Sequence, residues 1–159
     1  LFPYTTLFRS KTIEGDILQI DRGIIVHGCN AQKVMGSGIA LQIKEQFPSV
    51  YMAYLQMPMM QLGQISWCYI TNNKIFVNLI SQNLYGRDKS TRYVNYEAIA
   101  EGFERITERF SHLLQLPICF PAIGAGLGGG DWEIIKTIID RTVPDEYEKE
   151  LYVLPKNGG

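Results

Sequence analysis

The chain has 159 residues, which is the length of one ordinary domain and too short for two well-buried ones. Hydrophobic residues make up 46% and charged residues 19%, a balance that excludes an intrinsically disordered protein. The formal net charge of -1 excludes a general electrostatic attraction to nucleic acid. A phosphate-bearing ligand must therefore be held locally, by backbone amides and helix ends.

Three cysteines, Cys29, Cys68 and Cys119, lie in apolar runs and have no metal-ligand spacing. We interpret them as buried free thiols, which fits a reducing cytoplasm. No apolar stretch is long enough to span a bilayer, so we expect no membrane association. No cluster of His, Cys, Asp or Glu has ligand spacing either, and we predict no metal, no other cofactor and a monomer.

The first ten residues, LFPYTTLFRS, contain neither a cleavage site nor a long apolar core, so they do not form a secretory signal. They look like a translated sequencing-adaptor read-through joined to a reading frame, and the alternative is a genuine N-terminal arm. We favour the non-native origin and exclude residues 1–10 from the fold prediction.

The first predicted elements are two strands and a helix. Residues 13–20 predict a strand interrupted at Gly15-Asp16, and residues 23–29 predict a buried strand. A glycine-containing loop at 34–38 opens a helix, and Pro48 marks its end or a kink. The apolar residues of this helix recur at a spacing of four: Ile39, Ile43 and Phe47.

The middle of the chain predicts a hairpin, with strands over 65–71 and 74–81 joined by Asn72-Asn73. The polar segment 83–93 predicts a loop. In the next helix, apolar residues step by four, three, four and three positions, which predicts about five turns. They are Ile99, Phe103, Ile106, Phe110 and Leu113.

The last third predicts a strand over 118–123, a glycine-rich loop over 124–130, a helix over 132–143 and a strand over 151–154. Strands that alternate with helices predict a three-layer α/β/α sandwich. The hairpin makes the central sheet mixed rather than purely parallel. We expect one domain over residues 11–155, followed by a tail at 156–159.

Two glycine-rich loops each lie between a strand and a helix. Glycines allow backbone N–H groups to approach a phosphate closely, and a helix N-terminus adds a favourable dipole. Neither loop carries the Gly-Lys-Ser/Thr ending of a P-loop. Because the carboxyl ends of strands form the ligand crevice of open α/β sheets, the two loops together predict a diphosphate site.

Four motifs follow one another along the chain: Glu14-Gly15-Asp16-Ile17, Val26-His27-Gly28-Cys29-Asn30, Met35-Gly36-Ser37-Gly38-Ile39-Ala40 and Pro121-Ala122-Ile123-Gly124-Ala125-Gly126-Leu127. They resemble the motifs of macrodomains, which bind ADP-ribose, and the resemblance runs from about Lys11 to Leu154. Residues 38–44 and the pair Asp131-Trp132 resemble one branch in particular. That branch contains the short bacterial and phage ADP-ribose-1″-phosphate phosphatases, the terminal ADP-ribose hydrolases and the DNA-directed antitoxin macrodomains.

The resemblance implies that Asp16 holds the adenine amino group with the Ile17 amide nearby, and that Asn30 faces the distal ribose. It also implies that Leu154 packs against adenine and that Tyr85 lies near the distal ribose. The alternatives are a solvated turn for Asp16, a turn asparagine for Asn30, core burial for Leu154 and a solvated connector around Tyr85. The two diphosphate loops are implied to consist of Met35, Gly36, Ser37, Gly38 and Ile39, and of Ala122, Ile123, Gly124, Ala125, Gly126, Leu127 and Gly128.

Lys44 is the main catalytic candidate, since a lysine at the matching position of related hydrolases attacks the anomeric carbon or assists its cleavage. An amine attacks only in its neutral form, which requires burial or a neighbouring positive charge. The alternative is a solvated helix lysine. The aspartate that some relatives pair with this lysine is replaced here by Gly128. Asp131 could substitute for it, although an N-cap is the alternative role of Asp131.

We therefore expect a hydrolase that acts at the distal ribose of ADP-ribose, in the first place an ADP-ribose 1″-phosphate phosphatase with Asn30 positioning the ribose or water. One alternative is removal of ADP-ribose from a protein or a nucleic acid, with Lys44 central. The other is a reader that binds ADP-ribose without catalysis. For His27 we expect a satisfied core position, with acid–base work as the alternative.

Overall fold

The computed structural model describes residues 10–155, in which a mixed six-stranded sheet carries helices on both faces. The strands are β1 (Lys11–Glu14), β2 (Gly23–Asn30), β3 (Ile65–Thr71), β4 (Lys74–Gln82), β5 (Ile118–Phe120) and β6 (Lys149–Val153). The strand order is β1-β6-β5-β2-β4-β3, in which only the β3–β4 pair is antiparallel. The predicted mixed sheet is confirmed. The interpretations of residues 1–9 and of the tail at 156–159 lie outside the described residues.

The helices of this part of the chain are α1 (Gly38–Gln46), α2 (Pro48–Leu55), α3 (Tyr96–Arg109) and α4 (Trp132–Thr142). Alternate residues of β2 pack in opposite directions, as the two-residue period of a strand requires. Ile24 and Val26 belong to the core under α3 and α4, whereas Ile25 packs with Ile43 and Val50 under α1 and α2. The three-layer α/β/α architecture is therefore confirmed.

Three predicted elements are too long by three residues or more, and the strand predicted over 151–154 begins earlier, at Lys149. The strand over 13–20 ends at Glu14, because Asp16 accepts a hydrogen bond from Leu18 N at 2.9 Å and caps a 3₁₀ turn at Ile17–Gln19. The strand over 118–123 ends at Phe120, because Pro121 has no N–H to donate to a ladder. α3 ends at Arg109 after about four turns rather than five.

Pro48 begins a helix that the sequence interpretation did not contain. It is the first residue of α2, where a proline loses no hydrogen bond because the first N–H groups of a helix lack partners anyway. Val50 and Tyr54 on α2 are fully buried, so this short helix packs against the sheet beside α1. No helix within residues 10–155 has both the length and the apolar character needed to cross a membrane.

Candidate active site

A cavity of about 690 Å³ opens where β2, β4 and β5 reach their carboxyl ends. Its walls come from the segments that follow these three strands, at residues 34–40, 85–87, 121–124 and 126–128. The cavity is also lined by residues at the ends of β2 and β4: Gly28, Cys29, Asn30, Ser81 and Gln82. A Cβ on Gly28 would lie 2.6 Å from Ser81 Oγ, so glycine at this position leaves room for the Ser81 side chain. The cavity therefore lies where the sequence predicted a ligand crevice.

The first wall is the open N-terminus of α1. Its N-cap, Ser37, makes no side-chain cap hydrogen bond, and Gly38 has a φ of 57°, which glycine adopts without strain. The first N–H groups of a helix have no acceptor within the helix. Here they belong to Gly38, Ile39 and Ala40, all of which line the cavity. The wall thus offers unpaired amides and the positive end of the α1 dipole.

The second wall is the glycine-rich loop after β5, which closes on itself. Gly130 N donates to Gly124 O at 2.8 Å and Gly129 N donates to Gly126 O at 3.0 Å. A Cβ on Gly128 would lie 2.6 Å from Gly124 O, so the loop has no room for a side chain there. Within residues 10–155, the N–H groups of Gly126, Leu127 and Gly128 have no intramolecular acceptor. This wall also offers amide donors.

The third wall consists of Tyr85, Gly86 and Arg87, in the loop after β4. The loop is tied to the second wall, because Tyr93 N and Val94 N both donate to Gly128 O, at 2.8 and 3.0 Å. Arg87 carries the one charge among the cavity-lining residues of the described chain. The hydrogen-bond donors that line the cavity therefore belong mainly to the backbone.

Asn30 also lines the cavity, but most of its side chain is engaged within its own loop. Its Oδ1 accepts from Gln32 N at 2.9 Å, and its Nδ2 donates to Val34 O at 2.8 Å. One amide hydrogen remains for a ligand. The structure thus places Asn30 beside the cavity, and its ribose contact stays a prediction.

Asp16, Ile17 and Leu154 lie outside the cavity lining, at the same edge of the sheet. Asp16 is exposed and Ile17 is buried. Leu154 is 70% exposed, so the alternative of core burial for this residue is wrong. Since β6 neighbours β5 and β1 neighbours β6, these residues extend the edge beyond the second wall. Their predicted contact with adenine stays a prediction.

Lys44, Asp131 and Ala125 are predicted site residues that do not line the cavity either. Lys44 is exposed, and its Nζ lies 4.7 Å from the centroid of the Tyr51 ring. Asp131 accepts from Glu133 N at 2.9 Å and is the N-cap of α4, as predicted. Ala125 N donates to Ala122 O at 3.2 Å inside the second wall. The structure therefore does not bring Lys44 and Asp131 together.

The titratable groups closest to the cavity floor are neutral. Burial lowers the pKa of His27 to about 4, an effect that its hydrogen bond to Asn78 Oδ1 only partly opposes. His27 is fully buried with a partner, so the predicted core position is confirmed. Burial also raises the pKa of the Cys29 thiol, which makes it a poor nucleophile although Cys29 lines the cavity.

The sequence interpretation missed Ser81 on the cavity floor and Tyr54 beneath the first wall. Both lie in apolar runs, where no local pattern marks them as belonging to a site. Within the described residues, no three His, Cys, Asp or Glu side chains come close enough together to hold a metal ion.

Comparison with known proteins identifies relatives of nearly the whole chain, although no family model matches it. An uncharacterized 17.5 kDa protein of Enterobacteria phage T4 is 34% identical over 139 residues, which are 82% of this chain and 87% of that protein. The DNA ADP-ribosyl glycohydrolase of Thermus aquaticus is 28% identical over 150 residues, which are 90% of this chain. This chain spans only 40% of the length of that glycohydrolase. Among solved structures, the macrodomain of Thermus aquaticus DarG is 25% identical with a TM-score of 0.71, over 90% of this chain and 97% of that one.

Proposed function

The chain belongs to the macrodomain family, and we propose that it binds ADP-ribose and hydrolyses a bond at the distal ribose of that ligand. One observation carries the proposal: the open N-terminus of α1 and the free amides of Gly126–Gly128 face the same cavity. Two sets of unpaired N–H groups, in the loops that follow two neighbouring strands, can both donate hydrogen bonds to a diphosphate. They do so without a cluster of basic side chains, in keeping with a net charge of -1.

The order of the strands supports an orientation for the ligand. Asp16 follows β1, the second wall follows β5, the first wall follows β2 and Arg87 follows β4. Four strand intervals separate β1 from β4, a span of about 19 Å. We propose that adenine lies at the Asp16 end, the diphosphate lies between the two loops, and the distal ribose lies toward Asn30 and Tyr85.

For the leaving group we propose a nucleic acid, in the first place DNA. The activity named for the Thermus aquaticus relative supports this choice. The mouth of the cavity supports it as well, since Tyr85 and Leu127 line the cavity and are about half exposed. A nucleobase can stack on such a rim, and Arg87 can contact a neighbouring phosphate. Because the chain has no general basic surface, the contact is confined to one or two nucleotides.

Lys44 is the proposed catalytic amine, in line with the resemblance of residues 38–44. It lies one turn beyond Ala40 on the same face of α1, and Ala40 lines the cavity. In its present position the ammonium group contacts the Tyr51 ring. We propose that the side chain leaves this ring when the ligand binds and becomes buried against it, which supplies the burial that a neutral amine requires. The amine then attacks the anomeric carbon, and the base leaves with the bonding electrons and takes up the proton that the amine loses. Water then hydrolyses the lysine-linked ribose and regenerates the amine.

A second candidate is hydrolysis of ADP-ribose 1″-phosphate, which one observation favours. Arg87 lines the cavity at the distal end, where a terminal phosphate would lie, and a guanidinium group pairs well with phosphate. In this reaction water attacks and inorganic phosphate leaves. The two loops and Asn30 then act by orientation.

One substrate panel tests the proposal. The purified protein is incubated with ADP-ribosylated single-stranded DNA, an ADP-ribosylated protein and ADP-ribose 1″-phosphate, and the products are identified by mass spectrometry. Release of ADP-ribose from the DNA is the expected result. Phosphate release from the small substrate alone would replace the first candidate by the second. Calorimetric binding of ADP-ribose without turnover of any substrate would show that the protein is a reader, which binds ADP-ribose without catalysis.

The role of Arg87 is tested with a matched pair of variants. Arg87→Ala is expected to lower turnover of the preferred substrate about tenfold, because a charge-assisted contact to phosphate contributes about 1.4 kcal/mol or more. Arg141→Ala removes an exposed arginine on α4 and is the control. Equal rates for the two variants would remove Arg87 from the site.

A further inference from the structure

Tyr54 is a fully buried tyrosine on α2 whose hydroxyl lies against the loop that leads into the first wall. The hydroxyl donates to Asn30 O at 2.5 Å and accepts from Val34 N at 3.1 Å. It also lies 3.0 Å from Asn30 Oδ1. All these partners belong to the short segment that runs from the last residue of β2 to Val34, just before Gly36 and Gly38. The hydroxyl thus contacts both ends of that segment.

Hydrogen bonds of the Asn30 side chain also hold this segment together, and its backbone is strained at Lys33. Besides the bonds to Gln32 N and Val34 O, Asn30 Oδ1 lies 3.4 Å from Val34 N. Lys33 has a φ of 63°, the left-handed conformation that non-glycine residues rarely adopt. Such a conformation persists only where surrounding contacts hold it. Here those contacts are the hydrogen bonds of Asn30 and Tyr54.

The packing continues from this segment to the amides of the first wall. Met35 is 1% exposed and belongs to one buried cluster with Tyr54, Cys29 and Ile80. Gly36, Ser37 and Gly38 follow directly. The Tyr54 hydroxyl is protonated at neutral pH, as an ordinary tyrosine is, and burial raises its pKa further. A buried, fixed segment lies immediately before the open helix end.

We propose that Tyr54 is a positioning residue: its hydroxyl, acting with Asn30, fixes the segment 30–34 so that the loop from Gly36 and the open N-terminus of α1 face the diphosphate. The proposal rests on the proposed function for the identity of the ligand. It gives Asn30 a second task, that of organising the loop. Preorganised donors bind an anion without the cost of ordering the loop, so loss of the hydroxyl reduces affinity although Tyr54 does not touch the ligand.

The test compares Tyr54→Phe with Tyr147→Phe. Tyr147 is also buried, and its hydroxyl donates to a backbone carbonyl, with Phe110 O at 3.0 Å and Thr107 O at 3.1 Å. It packs in the core under α3 and α4, away from the cavity lining. Both variants remove one buried hydroxyl and keep the ring. They therefore separate a general loss of stability from a specific loss of positioning.

Three measurements are made on each full-length variant: the urea midpoint of unfolding, calorimetric affinity for ADP-ribose, and amide resonances without ligand. We expect both midpoints to fall. Only Tyr54→Phe should lower ADP-ribose affinity, at least fivefold, and shift the Gly36 and Gly38 resonances while Gly126 and Gly128 stay in place. Wild-type affinity in Tyr54→Phe, or an equal loss in both variants, overturns the proposal.

The ligand-free resonances keep the two proposals distinguishable. If the wild-type protein does not bind ADP-ribose, the proposed function fails, and the resonances still decide whether Tyr54 fixes the loop. If Tyr54→Phe does not fold, Asn30→Ala takes its place in this measurement, since it removes the contacts of the Asn30 side chain with Val34 O, Gln32 N and the Tyr54 hydroxyl and adds no charge. Unmoved Gly36 and Gly38 resonances in that variant overturn the positioning role.

Discussion

The N-termini of α1 and α4 both follow a strand and a glycine-rich loop, yet only the N-terminus of α4 has a side-chain cap. At α4, Asp131 accepts a hydrogen bond from Glu133 N and closes the helix end. At α1, Ser37 makes no such bond, and the first amides line the cavity. A capped end is stable by itself, whereas an open end is completed by a ligand.

The comparison teaches that the two glycine-rich loops are not equivalent, although their sequences suggested a repeated arrangement. The loop before α1 offers a helix end with its dipole. The loop before α4 offers amides of its own turn, at Gly126–Gly128, while the helix behind it is closed by its N-cap. Substitutions at the N-terminal half of α1 should therefore affect ligand affinity and turnover, whereas substitutions at the N-terminus of α4 should affect the free energy of unfolding.

The largest expected effect is on catalysis at α1. We expect Lys44→Ala to lower the rate of ADP-ribose release from DNA at least 100-fold, since loss of a nucleophile or acid–base group costs 10²–10⁴ in rate. ADP-ribose affinity should stay within a few-fold, because Lys44 does not line the cavity. Single-turnover kinetics and calorimetry measure the two quantities.

The control for Lys44 is Lys136→Ala, which removes a lysine from α4 instead. Its turnover should equal that of the wild-type protein. An unchanged rate in Lys44→Ala would show that the proposed amine has no part in the reaction, and the contrast between the two helices would then concern binding alone.

The next effect is a pH dependence that separates stability from binding. The pKa of His27 is about 4 in the folded protein and about 6.5 when unfolded, so the unfolded state binds its proton more tightly. The contribution of neutral His27 to stability is complete above pH 6.5 and is lost as the pH falls toward 4. The free energy of unfolding should drop by up to about 3 kcal/mol over this window.

Affinity for ADP-ribose should stay level from pH 8 to pH 5 while the protein remains folded. Backbone amides do not titrate, and the cavity lining of the described chain contains no carboxylate, histidine or lysine. Urea unfolding of the wild-type protein and His27→Gln at several pH values measures the contribution of His27 to the free energy of unfolding. His112→Gln is the control, because His112 is exposed. The same pH slope in wild type and His27→Gln would contradict the assignment to His27.

Much of the fold could be predicted from periodicity, and the errors have local causes. The hairpin of β3 and β4 was predicted because its strands and two-residue turn are encoded locally. α2 was missed because its sequence, PSVYMAYL, is apolar on nearly all sides and lacks the pattern of an amphipathic helix. β1 was predicted too long because the Asp16 hydrogen bond to Leu18 N competes with strand pairing.

The candidate site was predictable only in part. Glycines between strand and helix located both loops, since this arrangement is visible in the sequence. Which helix end stays open was not predictable, because serine and aspartate are both good N-caps. The hydrogen bonds of Asn30 to its own loop and the contact of Lys44 with Tyr51 depend on tertiary packing that no local pattern encodes.

A smaller effect is expected from closing the open helix end. Ser37→Asp should provide a cap and place a negative charge beside the diphosphate, which lowers ADP-ribose affinity about tenfold at low salt and less at high salt. Ser37→Asn provides a cap without the charge and should lose less affinity. Calorimetry at two salt concentrations measures both variants. An affinity that is indifferent to Ser37→Asp would place the diphosphate away from α1.

The smallest effect is expected at the closed end. Asp131→Ala should lower the free energy of unfolding by about 1 kcal/mol, the usual cost of losing an N-cap, and Asp131→Asn should restore most of it because asparagine caps equally well. ADP-ribose affinity should not change in either variant, since Asp131 is exposed and does not line the cavity. Urea unfolding and calorimetry give the two values. If Asp131→Asn kept its stability but lost turnover, the carboxylate would have a catalytic task, and the division between an α1 that serves the ligand and an α4 that serves the fold would no longer hold.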